Sequence, residues 1–203
     1  TEAAGGLNRL MVEERETPHR LSTGVFSDQL SGRFAALAVC AALAERQKSG
    51  RGAAIDLSMT SAISHVIGVP LTKAALNDYV PEYRGNRDPR FVPQGIYPAR
   101  GDDEWVSISV TDDDAWRRLC AIVDDESLDP EANTRARWTQ HDAIDRALAA
   151  WTAGRDKDGI ADTLQAEGIA AAPVRTVADS GTDPQFRARG TLQPVKHRKP
   201  KLG

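Results

Sequence analysis

Asp28 is the residue best placed to do chemistry. It stands in Ser27-Asp28-Gln29-Leu30-Ser31-Gly32, directly ahead of the apolar run from Phe34 to Leu43. A carboxylate at the start of an apolar helix has two uses. It can cap free N–H groups, or, where water is excluded, attack an acyl carbonyl as a nucleophile. Gly24, Ser31 and Gly32 surround it. Small residues let a bulky substrate come close and leave backbone N–H groups open to a developing oxyanion. They serve equally as turn and helix-packing positions. Lys48 stands at the wet end of the helix, and Arg51 and Gly52 follow it; cations there suit phosphates, but Gly50-Arg51-Gly52 works as a simple turn, the preferred reading. Arg84-Gly85-Asn86-Arg87 is a flexible, donor-rich loop. His19, His65, His141 and His197 show no metal-ligand spacing. Asp112-Asp113-Asp114 fits a helix N-terminus better than a cation site. No metal is expected.

The elements that must position these residues follow from the pattern. Residues 1–26 have little periodicity and are expected to form loop and connecting structure. Ser27 or Asp28 would cap a helix that is apolar nearly all round to Leu43, and so is expected to be buried. Glu45 to Lys48 form its wet end, and Gly50 and Gly52 break it. Ala54–Ser58 is expected as a strand, and Met59–Ala75 as a helix bent at Pro70. Residues 77–93, with Pro81, Gly85, Pro89 and Pro93, form a long loop and a domain boundary.

Trp105–Val110 alternates as a half-buried strand does. Thr111 is expected to cap the next helix, whose apolar face is Trp116, Leu119, Cys120 and Val123. Helices over 139–153 and 157–167 bury Ile144, Leu148, Trp151, Ile160 and Leu164, the second stopping at Gly168. Ile169–Val174 is a short strand, and Asp183-Pro184 opens a last helical turn. The basic end, Lys196 to Lys201, reads as a solvated segment or an interrupted return strand rather than a nucleic-acid site.

The 203 residues suffice for one large or two small domains. With 40% hydrophobic and 27% charged residues the mix is that of a soluble protein. A net charge of −3 draws in neither nucleic acid nor an anionic membrane. No apolar run reaches the roughly 20 residues that cross a bilayer. The opening Thr1-Glu2-Ala3-Ala4 is not a secretory signal. Cys40 and Cys120 make no disulfide framework and suit a reducing cytoplasm. The chain does not begin with Met, so processing, or a piece of a longer protein, is expected.

The order of motifs resembles the class III, formyl-CoA transferase-like CoA-transferases. D-x-x-[ST]-G at Asp28, the apolar helix, Glu45-Arg46-Gln47-Lys48-Ser49-Gly50-Arg51-Gly52 and Ile55-Asp56-Leu57-Ser58-Met59 are similar to that family's central segment. Arg84–Pro89, Pro93–Tyr97, Trp105, Trp116, Leu164–Val174 and Asp183-Pro184-Gln185 continue the match in collinear order. The resemblance implies a partial α/β fold of that family. Residues 1–76 would be part of a Rossmann-like large, CoA-binding domain, 77–93 the linker, 94–182 a small α+β domain and 183–203 a truncated return segment. It implies a coenzyme A thioester as substrate, with no permanently bound cofactor, a carboxylic acid acceptor, and an interlocked homodimer at full length. Asp28 would form an aspartyl–acyl anhydride and then an aspartyl–CoA thioester. Gly24, Ser31, Gly32, Arg84, Gly85, Asn86 and Arg87 would contact substrate. Several family members carry a more glycine-rich lid where Arg84-Gly85-Asn86-Arg87 stands.

Two rival readings remain. An α-methylacyl-CoA racemase shares the fold and pairs this aspartate with an upstream histidine; His19, nine residues ahead, is a poor match for it. A non-catalytic fragment that binds a partner chain would be indifferent to Asp28. Family members are about twice this length, so the apolar helix is expected to expose a face unless further chain covers it.

Overall fold

The structure is a computed structural model and describes residues 7–10, 26–77, 79–80 and 84–193. It divides into two compact units, Thr1–Asn86 and Arg87–Gly203.

In the first unit, α1 (Leu7–Leu10) gives a helical turn where only loop was expected. The long helix α2 (Phe26–Ser49) begins ahead of both expected caps, so Ser27 and Asp28 lie inside its first turn. It ends where Gly50 takes φ +71°, and the Gly50 N–H closes on the Arg46 carbonyl at 2.8 Å. That left-handed position suits glycine. One side of α2 packs on α3 (Met59–Val66), around buried Leu7, Ile63 and Ile67 with Leu30 half-buried. The expectation of a buried α2 is corrected. Leu37, Val39 and Leu43 are 66%, 47% and 51% exposed, because an apolar-all-round helix meets described neighbours on one side only.

Two further corrections concern this unit. Ala54–Ser58 is not a strand; no described strand lies beside it to complete a ladder. The helical stretch after it breaks at Ile67, not at Pro70. Pro70 is the third residue of α4 (Gly68–Asn77), inside the first turn, where its missing N–H breaks no helical bond. The N-cap Ser58 accepts from the Ser61 N–H at 3.3 Å.

The second unit is a three-stranded antiparallel sheet, β1 (Gln94–Pro98), β2 (Trp105–Ser109) and β3 (Ala170–Pro173), in that order. Tyr97 faces Val106 and Ile108 faces Ala171 in its register. β1 was not anticipated as a strand. α5 (Asp113–Val123), α7 (His141–Ala153) and α8 (Lys157–Ala166) supply the buried faces foreseen for them. They form one core with the inward residues Tyr97, Val106 and Ile108. Fully buried Leu148 and Leu164 each contribute about 1.5–3 kcal/mol. α5 is capped by Asp112, not Thr111. The Asp112 carboxylate accepts the Ala115 N–H at 2.7 Å, while Thr111 only donates to Asp112. The carboxylate is the stronger acceptor. α6 (Thr134–Thr139), α9 (Val177–Ser180) and α10 (Pro184–Ala188) are short, and Asp183 caps α10. The expected basic tail, Lys196–Lys201, lies outside the described residues.

Two polar knots fasten the segment that leads into this unit. Arg137, 1% exposed, donates to the Val92 and Ala132 carbonyls at 2.7 Å each, pairs with Asp113 at 2.9 Å and lies over the Trp116 ring. Arg87 donates to Asp145 through Nε at 3.0 Å and pairs with Asp142 at 2.7 Å. Tyr97 donates to the other Asp145 oxygen at 2.8 Å. A Cβ on Gly95 would stand 2.9 Å from the Tyr97 ring, so this approach requires glycine.

His141 is buried beside this second knot, edge-on to Trp138. Neither ring nitrogen has a hydrogen-bond partner among the described residues, and Nε2 is 3.6 Å from Asp145. Burial lowers its pKa from the usual 6.5, against the pull of Asp145, with the Arg87 charge adding to the lowering. The unfolded chain therefore takes up the proton first, and stability falls as pH drops below about 6.5. The denaturant midpoint is expected to fall between pH 8 and pH 5.5. In His141→Phe that dependence should flatten with no loss at pH 8, because no hydrogen bond is removed. An unchanged pH profile in the variant would contradict the assignment.

Candidate active site

α2 carries Asp28, Ser31 and Gly32 on consecutive turns of one helix. Asp28 is its third residue, exposed, with no hydrogen bond or ion pair to any described residue. At this position it stands among first-turn N–H groups, which favour negative charge. Ser31, one turn on, is 6% exposed, and its Oγ has no partner among the described residues. Gly32 is exposed, and a Cβ built on it would meet nothing within 4 Å. Glycine inside a helix costs about 1 kcal/mol relative to alanine, and no described neighbour requires it here. Gly24 lies outside the described residues.

A groove of about 430 Å³ runs between α2 and the start of α3, lined by Phe34, Asp56, Ser58 and His65 among others. The Phe34 and His65 rings meet edge-on at 5.5 Å. Lys48 is exposed in the last turn of α2, and Arg51 and Gly52 are exposed beyond its end. The Ser49 hydroxyl accepts the Arg51 N–H at 3.3 Å, which agrees with the turn reading.

The loop candidates lie apart from α2 in sequence, at the boundary of the two units. Gly85 and Asn86 form an exposed turn, with Gly85 at φ +55°, and Arg84 is half-buried. Arg87 is half-buried and its guanidinium is engaged by Asp142 and Asp145. The Arg87 hydrogen bond lowers the Asp142 carboxyl below its ordinary value. Burial, followed by the Asp145 charge, raises the Tyr97 hydroxyl. Arg87 thus has a structural task whatever else it contacts. Asp145 and Arg137 escaped the sequence reading, which named His141 only as a histidine without metal-ligand spacing and Tyr97 only as the end of a motif. Their partners lie 45 to 58 residues away for the main contacts, and only the i, i+4 pair His141–Asp145 was visible locally.

Chemically, the arrangement offers an exposed carboxylate with no partner among the described residues and an exposed Gly32 one turn on; the groove lies further along α2, from Phe34, and Asp28 does not line it. Among the described residues no cluster of His, Cys, Asp or Glu fits a metal ion. None of the described helices is long and apolar enough to cross a membrane. The buried Cys120 thiol is pushed up to about 11, mainly by burial, and is a poor nucleophile.

Known proteins match this chain over most of its length. The description of CoA-transferase family III matches residues 1–202. A probable CoA-transferase of Mycobacterium tuberculosis is 31% identical over 205 residues, covering 96% of this chain and 25% of that protein. A succinyl-CoA–D-citramalate CoA-transferase of Chloroflexus aurantiacus is 29% identical over 194 residues, covering 94% of this chain and 48% of that protein. The crystal structure of a CAIB/BAIF family protein from Brucella suis superposes with TM-score 0.82 at 24% identity, covering 97% of this chain and 55% of that one. The chain spans a quarter to about half the length of these relatives. By the family match over residues 1–202, the chain belongs to CoA-transferase family III and carries part of that family's fold.

Proposed function

We propose that the protein moves coenzyme A from an acyl-CoA to a free carboxylic acid, with Asp28 as the covalent nucleophile. The observation that carries this reading is the family match across residues 1–202. The unpaired Asp28 on α2 and the open surface at Gly32 support it.

The steps balance as follows. The Asp28 carboxylate attacks the thioester carbonyl, the C–S bond breaks, and an aspartyl–acyl anhydride and CoA thiolate result. The thiolate attacks the aspartyl carbonyl, releasing the donor acid and leaving an aspartyl–CoA thioester. The acceptor carboxylate attacks that thioester and expels CoA thiolate, forming a second anhydride. Thiolate attack on the acceptor acyl carbon then yields the new acyl-CoA and restores Asp28. First-turn N–H groups and the Gly32 surface would face the oxyanion and admit the thioester. Gly24, Ser31, Arg84, Gly85, Asn86 and Arg87 are proposed as further substrate contacts. The CoA-binding domain, of which residues 1–76 are part, would be completed by further chain. The assembly is an interlocked homodimer in the cytoplasm.

The succinyl-CoA named for the Chloroflexus relative makes it the first donor to try. A native polypeptide containing this sequence should exchange labelled succinate into succinyl-CoA, and Asp28→Asn should lower that exchange by at least about a thousandfold. Exchange that survives the substitution would leave Asp28 a helix residue and reopen the partner-binding reading. Proton exchange at the α-carbon of a branched acyl-CoA without transfer would favour the racemase.

Gly32 separates the substrate role from the packing role. Gly32→Ala should stabilise the helix by about 0.5–1 kcal/mol in denaturant unfolding while lowering transfer. Higher stability with unchanged transfer would remove Gly32 from the site.

A further inference from the structure

The second unit contains a groove of about 490 Å³ that the proposed reaction does not use. Its lining carries two arginines, Arg100 and Arg155, the N-cap carboxylate of Asp156, and an apolar part that we call its floor, Ile122, Ile160 and Trp151. Ile160 and Trp151 are core residues, so the floor is rigid. The two arginines are joined through the backbone, since the Arg100 N–H donates to the Arg155 carbonyl at 2.8 Å. The Arg155 guanidinium lies over the Trp151 ring, 4.7 Å from its centroid, and donates through Nη1 to the Trp151 carbonyl. Its direction is thereby set while its remaining N–H groups stay open. The Arg100 side chain has no partner among the described residues.

Neither guanidinium has a carboxylate partner among the described residues. The nearby acids have other tasks. Asp156 accepts the Gly159 N–H at 2.9 Å, Asp103 accepts the Trp105 indole N–H at 2.8 Å, and Glu104 pairs with Lys157 at 2.6 Å. Two planar cations above an apolar floor match an oxyanion on an apolar body. The volume lies in the range of small-molecule sites.

We propose that this groove binds an organic acid, with its carboxylate or phosphate head at Arg100 and Arg155 and its apolar body along Ile122, Ile160 and Trp151. A small inorganic anion would leave the floor uncovered, and a neutral apolar molecule would leave both guanidiniums unmatched.

The test is titration of the isotope-labelled full chain with hexanoate, hexyl phosphate and hexanamide, followed by amide and indole NMR. Hexanoate or hexyl phosphate should shift the Gly154, Gly159 and Ile160 amides and the Trp151 indole, and whichever acts at lower concentration names the head group. Hexanamide should act at least about tenfold more weakly. Arg100→Gln, which removes no contact to a described residue, should weaken binding several-fold, and Arg100→Gln with Arg155→Gln at least about tenfold. Amide signals distant from the groove report whether the variants keep the fold. Equal responses to acid and amide, no shifts with either acid, or unaltered binding in the folded double variant would overturn the proposal.

Discussion

A helix that is apolar on every side must have apolar neighbours on every side. α2 sets this demand, and the described residues meet it on one side, through Ile63, Ile67 and Leu7. Leu37, Val39 and Leu43 face outward on the rest of the same helix, and Phe26 is 42% exposed at its start. Asp28 stands two residues after Phe26, also exposed. The proposed chemistry makes a matching demand. A carboxylate that forms an anhydride must be screened from water, or the intermediate is lost to hydrolysis. One further layer of protein over α2 would cover the apolar residues and dry the carboxylate together.

The second unit satisfies its own demands. Its sheet is covered on one face by α5, α7 and α8, and the buried polar groups at its entrance are bonded. Arg137 brings its own hydrogen-bond partners into the interior, which offsets the desolvation of a guanidinium. His141 is an exception, its two ring nitrogens unpartnered among the described residues, and its burial, which lowers its pKa, is the basis of the acid sensitivity expected of this unit. Arg87, the first residue of this unit, is fastened to α7 through Asp142 and Asp145.

The elements that could be read from the chain are those whose pattern is local. Trp116, Leu119, Cys120 and Val123 repeat at helical spacing, and Val106 and Ile108 alternate with serines, so α5 and β2 follow directly. β1 escaped notice because Pro93, Gly95 and Pro98 interrupt its pattern, and its identity comes from pairing with β2. Ala54–Ser58 shows the converse, an alternating segment with no described strand to pair with. The exposed face of α2 contradicts the expectation of a buried helix and agrees with the expectation that this stretch of chain leaves a face uncovered, because apolarity reports what a helix needs, not what a given stretch of chain supplies. At the candidate site, the residue types around Asp28 were legible and their surroundings were not. Whether Gly32 is there for packing or for approach depends on what lies over it, and the open space at its Cβ became visible only in three dimensions. The Arg87–Asp145 and Arg137–Val92 contacts join residues 58 and 45 positions apart, which no local pattern encodes.

The central claim is a covalent bond to one side chain, and mass spectrometry observes it directly. A native polypeptide containing this sequence would be mixed with succinyl-CoA and quenched with hydroxylamine or borohydride, and its peptides sequenced. The account predicts a hydroxamate or a reduced side chain at Asp28 alone, dependent on the thioester and absent in Asp28→Asn. Active transfer with an unmodified Asp28, or with the label on another residue, would contradict it.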